Sequence, residues 1–243
     1  MPTTSERYLA QQPWLGTTGQ DALAKAQVAV LGLGGLGSAA SYALAGLGVG
    51  RLLLFDDDVV SVSNLNRQFL YAESDLGKPK ALCAAARLSA YNSEICIVPT
   101  VARVDDANAA SLLDGCDVVL CCVDRISTRL SLCKALRTLP LPQVHGGVDG
   151  CDGTLMLVTQ EGPCLGCALC GVERLARKAP AVSLPPVTTA VSALMAQMAL
   201  LSLTGRAASV AGKLFCLDGR TLLLDAVPIV QLAACPICGR PAS

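Results

Sequence analysis

Between Ala26 and Gly50 the chain carries no charged side chain, and seven glycines fall between Gly32 and Gly50. A membrane span needs about 20 apolar residues, but glycine at this density weakens a helix and the apolar period changes midway. The stretch reads instead as three pieces: an apolar run Val28 to Leu31, the cluster Gly32-Leu33-Gly34-Gly35-Leu36-Gly37, and a small-residue helix from Leu36 to about Leu47. A second apolar run, Arg51 to Phe55, follows and ends in Asp56-Asp57-Asp58. Strand, glycine turn, helix and strand make a βαβ unit, whose strands are parallel and covered on both faces.

The alternation continues with helices near Pro79 to Tyr91, Ala107 to Leu113 and Ile126 to Leu136, and strands near Cys96 to Val101, Asp117 to Cys122 and Gln143 to Gly146. Past Thr154 it gives way to hairpin-like runs, Leu155 to Val158, Leu214 to Leu217 and Thr221 to Ala226, around a long helix at Val187 to Leu203. The expected fold is therefore α/β: a Rossmann-like, mostly parallel sheet with helices on both faces and an antiparallel C-terminal extension. With 52% hydrophobic residues in 243, the chain suits one domain over residues 1–243, in two halves of about 26–150 and 151–243.

The second charge-free stretch, Ala179 to Gly205, contains Pro180, Pro185 and Pro186, so only its latter part is a good helix and burial explains it better than a membrane. Nineteen basic residues balance nineteen acidic ones with no basic run, which disfavours nucleic acid as a partner. Met1 to Lys25 lacks the positive start and apolar core of a secretory signal, so a cytoplasmic protein is expected. In that setting most of the thirteen cysteines are not disulfides. Cys83, Cys96, Cys116, Cys121, Cys122, Cys133 and Cys216 lie in or beside apolar segments and read as small hydrophobes.

Gly32, Gly34, Gly35 and Gly37 satisfy G-x-G-x-x-G after a strand and at the opening of a helix, where unpaired N–H groups face phosphate oxygens. Asp56, ending the next strand, is placed for ribose hydroxyls. Alone this points to a dinucleotide and a dehydrogenase. The following segment argues for a nucleoside triphosphate instead, because Asp58, Asn64, Arg67, Gln68 and Lys80 bring polar and cationic groups to one stretch. Such groups compensate negative charge while a phosphate is attacked. Asp124 follows the strand Asp117 to Cys122 at its carboxyl end and is a candidate metal ligand or ligand contact. His145, the single histidine, has no nameable acid–base partner and reads as structural or solvated. Cys164-Leu165-Gly166-Cys167 and Cys235-Pro236-Ile237-Cys238 are two C-x-x-C knuckles, which supply four thiolates for a structural Zn²⁺. Cys170 reads as a bystander, and a redox pair is the competing interpretation.

Over nearly its whole length the sequence resembles the ThiF/MoeB/HesA adenylyltransferases, bacterial relatives of the ubiquitin-activating enzymes. The likeness runs through Arg7-Tyr8, the glycine cluster, Asp56-Asp57-Asp58, Ser63-Asn64-Leu65-Asn66-Arg67-Gln68, Gly77-Lys78-Pro79-Lys80, Cys122-Val123-Asp124 and the paired knuckles. The resemblance implies a homodimer that binds MgATP and the Gly-Gly C-terminus of a ubiquitin-like sulfur-carrier protein. It further implies adenylation of the carrier's terminal glycine carboxylate, with release of pyrophosphate, in molybdenum-cofactor or thiamine biosynthesis. Arg67, Lys80 and Asp124 would be catalytic, Asp56 would hold the ribose, Asn64, Arg67 and Lys80 the phosphates, and Asp124 would lie near magnesium. The later half, about 151–243, would then carry the carrier, dimer and zinc functions.

Two positions depart from the pattern. The acceptor cysteine that some members carry before the long helix aligns with Ala181, and no cysteine occurs between Cys170 and Cys216. An acyl-enzyme thioester there is excluded, which fits the molybdopterin-synthase type better than the thiazole type and leaves sulfur delivery to another protein. The second arginine of the N-terminal Arg-Tyr-x-Arg-Gln motif, which reaches the triphosphate across the dimer, is Ala10, with Arg125 a candidate compensating cation. Adenylation of another C-terminal carboxylate and a non-catalytic homologue that holds nucleotide or carrier are the alternative readings.

Overall fold

The computed structural model describes residues 6–170 and 182–239. Their order is α1 (Gln12–Lys25), β1 (Gln27–Leu31), α2 (Gly35–Leu47), β2 (Arg51–Phe55), α3 (Lys80–Tyr91), β3 (Cys96–Thr100), α4 (Ala109–Leu112), β4 (Val118–Cys121) and α5 (Ile126–Leu136). There follow β5 (Gln143–Asp149), β6 (Asp152–Val158), α6 (Leu165–Ala168), α7 (Pro185–Leu203), β7 (Lys213–Asp218) and β8 (Leu223–Pro228). One sheet contains all eight strands in the order β3-β2-β1-β4-β5-β6-β7-β8. The first five are parallel and the last three antiparallel, as the sequence pattern predicts.

Period-two alternation divides the strand side chains between two covered faces. Val28, Val30, Leu52, Leu54, Val118, Leu120 and Val144 pack with α2, α3 and α7, while Ala29, Leu31, Leu53, Phe55, Val119 and Cys121 pack with α4 and α5. Helix α7 is long and apolar enough to cross a membrane by length and composition. Here Val191, Met195, Ala196 and Ala199 bury one side in the core, and the outward residues Thr189, Ala190, Ala193 and Gln197 are small or polar. Burial in the fold, not lipid, accounts for its composition.

Three differences from the sequence reading have physical causes. Helix α1 was not expected, because Pro13, Gly16 and Gly19 lower helix propensity; Gly16 has φ 66° and kinks the helix, which is held by packing of Leu15 and Leu23. Strand β5 runs on to Asp149 because β6 pairs with it back along its length, from Asp149↔Asp152 to Gln143↔Val158. Cys96 is exposed on β3, against its reading as a small buried hydrophobe, and Cys83, Cys116 and Cys216 are only half-buried, whereas Cys121, Cys122 and Cys133 are buried.

Candidate functional site

Strand order reverses between β1 and β4, whose neighbours in sequence lie on opposite sides of the sheet, and ligands gather outside the carboxyl ends at such a point. The glycine turn sits there. Gly32, at φ 88°, turns the chain out of β1 while its N–H donates to the Phe55 carbonyl. A β-carbon at Gly37 would overlap the carbonyl oxygen of Gly32, so the turn closes only with glycine at that position. Gly34 caps α2, and a β-carbon on Gly35 would lie 3.6 Å from the Arg67 stem and 2.9 Å from Thr188 of α7. The turn is thus the meeting point of β1, α2, the segment after β2, and α7.

Asp56 is buried at the end of β2 and organises this turn. Its Oδ2 accepts the Leu33 N–H at 2.6 Å and its Oδ1 accepts the Asp58 N–H at 2.9 Å. Burial raises its carboxyl above the usual range, against the opposing pull of those two N–H groups and the Lys80 charge. A carboxylate has about four acceptor positions, so lone pairs are left for hydroxyl donors. Tyr71, which sequence reasoning missed, donates its hydroxyl to the Leu33 carbonyl at 2.8 Å, and Ser38 accepts the Leu70 N–H at 2.9 Å. Both lock the cationic segment to the glycine turn, and neither belongs to a spacing motif that would have revealed it.

Backbone pairing brings Asp58 and Lys80 together: the Lys80 N–H donates to the Asp58 carbonyl, and its Nζ lies 3.0 Å from Asp58 Oδ2. Lys80 is buried although it opens α3, where the helix dipole disfavours a cation. Such a local conflict is expected at a functional position. Asn64 accepts the Ser61 N–H in a one-turn cap, and Arg67 Nη1 donates to the Ser63 carbonyl and to Asn66 Oδ1. Gln68 is buried beneath Gly34 with Oε1 unpartnered, an orphaned acceptor beside the turn. Asp124 is exposed in the loop after β4, and Gly32 abuts that loop at Cys122 and Val123. The glycine turn, Asp56, Asp58, Arg67, Gln68 and Lys80 therefore gather near the carboxyl ends of β1 and β2, Asn64 caps the turn that leads to Arg67, and Asp124 lies in the loop after the adjoining β4.

Ala10 lies elsewhere. It is exposed next to Tyr8, whose ring packs on Gly48 at the far end of α2. Thirteen residues of helix separate that end from the glycine turn, about 20 Å, so position 10 stands far from the glycine turn of the same chain. Ala181 lies outside the described residues.

The cysteine knuckles form the expected cage. The sulfurs of Cys164, Cys167, Cys235 and Cys238 all lie within 4.8 Å of one another, with Cys164 to Cys235 at 3.5 Å and Cys167 to Cys238 at 3.3 Å. Zn–S bonds of about 2.3 Å in a regular tetrahedron put sulfurs roughly 3.8 Å apart, so the four thiolates fit zinc. Cys170 is exposed and outside the group. Cys133, fully buried on α5, packs against the cage beside Cys164 and Leu165 as a small hydrophobe.

His145 is fully buried on β5, with Nε2 2.9 Å from Gln143 Oε1. Burial, then the charge of Arg129, pushes its pKa down to about 3. The folded value lies below the ordinary 6.5, so the stability from keeping the ring neutral is complete above about pH 6.5 and is lost as pH falls toward 3. His145→Gln is expected to flatten the acid limb of an unfolding-versus-pH curve by up to about 1.4 kcal/mol per pH unit. An unchanged slope would show that the imidazole does not titrate on unfolding.

The model of the ThiF family matches residues 6–237. The chain is 36% identical over 226 residues to the molybdopterin-synthase adenylyltransferase of Salmonella typhimurium, covering 91% of this chain and 90% of that protein. It is 34% identical over 227 residues to the sulfur carrier protein ThiS adenylyltransferase of Escherichia coli, covering 91% and 89%. Among solved structures, Escherichia coli MccB with ATP superposes at a TM-score of 0.84, with 22% identity, over 98% of this chain and 75% of that one. This last likeness speaks for the fold alone.

Proposed function

Since the chain belongs to the ThiF family, we propose that it is an adenylyltransferase that activates the C-terminal glycine carboxylate of a ubiquitin-like sulfur-carrier protein. The observation that carries this reading is the gathering of the glycine turn, Asp56, Arg67 and Lys80 at the switch point beside Asp124. In the reaction a carboxylate oxygen of the carrier attacks the α-phosphorus of ATP, the bond to the β-phosphate oxygen breaks, and pyrophosphate leaves with that electron pair. The products are an acyl-adenylate and pyrophosphate, and no side-chain nucleophile or proton acceptor is required.

Each residue's role follows from its chemistry. The amides of the glycine turn and the N-terminus of α2 receive phosphate oxygens, and the spare lone pairs of Asp56 receive ribose hydroxyls. Arg67, Lys80, Asn64 and Gln68 face the triphosphate, with the two cations drawing negative charge toward the leaving group. Asp124 would hold Mg²⁺, which commonly binds through one or two carboxylates and substrate phosphates and there screens the phosphate charge. The cysteine cage would hold zinc structurally. A sulfur donor must then convert the adenylate to a thiocarboxylate, since no cysteine lies between Cys170 and Cys216. We place the protein in the cytoplasm, as one unit over residues 1–243 that works as a homodimer. The exposed Leu222, Leu223, Leu224 and Val227 of the β8 edge support a covered face there.

A non-catalytic homologue is the second reading, and Ala10 favours it. Arg125, exposed where it caps α5, is the candidate compensating cation. Arg125→Ala is then expected to lower the adenylation rate about tenfold or more, as removal of one phosphate-facing cation does; an unchanged rate disproves compensation. The decisive experiment is mass spectrometry of a Gly-Gly-terminated carrier incubated with the protein, ATP and Mg²⁺, followed by sulfide. Adenylate or thiocarboxylate is expected. ATP binding without modification of any carrier would favour the non-catalytic reading.

A further inference from the structure

Arg129, on α5, has no role in the chemistry above, yet among the described residues it is an unusual charge. It is 5% exposed, its Nε is buried without a hydrogen-bond partner, and no described carboxylate pairs with it. The titratable groups around it are the Cys121, Cys122 and Cys133 thiols and the neutral His145 ring. An unpaired cation is costly to bury, and an apolar side chain of similar volume would serve packing better. Its position is built for it all the same. A β-carbon at residue 147 would overlap Arg129 Nη1, so Gly147 leaves the guanidinium its space at the carboxyl end of β5.

The site's polarity indicates which anion it awaits. Across the sheet lie in turn Asp56 at the end of β2, the glycine turn at β1, Asp124 after β4, and the guanidinium against β5. Arg67 and Lys80, which draw off the leaving pyrophosphate, stand on the β1–β2 side. In-line displacement requires the nucleophile to approach from the opposite side, which is the β4–β5 side. Arg129 lies on the first turn of α5, and helical side chains tilt toward the N-terminus, here toward the crevice.

We propose that Arg129 receives the carrier's terminal carboxylate and orients it for attack, an inference that rests on the adenylyltransferase reading. The guanidinium binds the carboxylate by charge-assisted hydrogen bonds. It also explains how a chain without an acceptor cysteine selects a free C-terminus over any other extended peptide. A pyrophosphate or phosphate oxygen has the same donor requirement, and the test separates the two.

The test uses the Gly-Gly carrier with a free carboxylate and the same carrier as its C-terminal amide, each titrated against the full-length protein and against Arg129→Gln. The wild type is expected to prefer the acid by roughly tenfold or more, the usual worth of a charged hydrogen bond. In Arg129→Gln that preference is expected to fall below about twofold and the carrier KM to rise about tenfold, with ATP affinity unchanged. Arg129→Lys, which keeps the charge without the fork, is expected to retain part of the preference, and it carries the test if the glutamine variant does not fold. An undiminished acid-to-amide preference in either variant overturns the proposal, as does weakened ATP binding with that preference intact, which assigns the group to a phosphate. If the wild type adenylates no carrier, the functional reading itself has failed, a result distinct from either.

Discussion

Lys80→Met is expected to lower carrier adenylation by about 10³-fold or more while the protein stays folded, because phosphate-clamping cations carry effects of that size in phosphoryl chemistry. The substitution keeps most of the side-chain volume, so the buried stem still fills its space under the segment after β2. It leaves Asp58 without its partner, but the Asp58 side chain is 73% exposed and an unpaired surface carboxylate costs little. The loss should appear in kcat, with ATP affinity falling less, since charge on the leaving pyrophosphate grows toward the transition state. Near-normal turnover with unchanged thermal stability would show that Lys80 merely pins Asp58 and that the phosphates are neutralised elsewhere.

Cys235→Ser is expected to abolish the bound metal and lower Tm by on the order of 10 °C, with a similar fall when strong chelator is added to the wild type. After β8 the described residues 229–239 contain only turns, and the tail is held to the body through the cage and the packing of Ile229, Leu232 and Ile237. Without metal the four thiols make only weak contacts with one another, and the tail loses its anchor. ATP affinity should hold within about twofold because the cage shares no residue with the glycine turn. Protein purified without zinc that melts at the same temperature as the cysteine variant would refute a structural metal.

The nucleotide side of the site was legible because its residues are bound to local geometry. A glycine cluster between an apolar run and a small-residue helix has few conformational solutions, and Asp56 is fixed by ending the next strand. Lys80 was legible only as a charge; its burial at a helix start depends on Val59 to Lys80 folding back on themselves. That Cys133 packs beside the knuckles was not legible, because α5 and the two knuckles are far apart in sequence and meet only in the tertiary fold. Arg129 went unnoticed for the same reason. On a helix with ordinary composition, an arginine is taken as surface until a strand is seen to cover it.

The sequence by itself determined the α/β alternation, the glycine turn, the acid at the second strand end and the four-thiol set. Each of these rests on the period of apolar residues or on the stereochemistry of a few neighbours. The tertiary structure alone decided that β5 continues along β6, that a glycine-rich N-terminal segment becomes α1, that position 10 stands at the far end of α2, and that Arg129 is buried beneath Gly147. These depend on which surfaces meet across long stretches of chain. Burial and unpaired charge are properties of such meetings and not of any local run of residues.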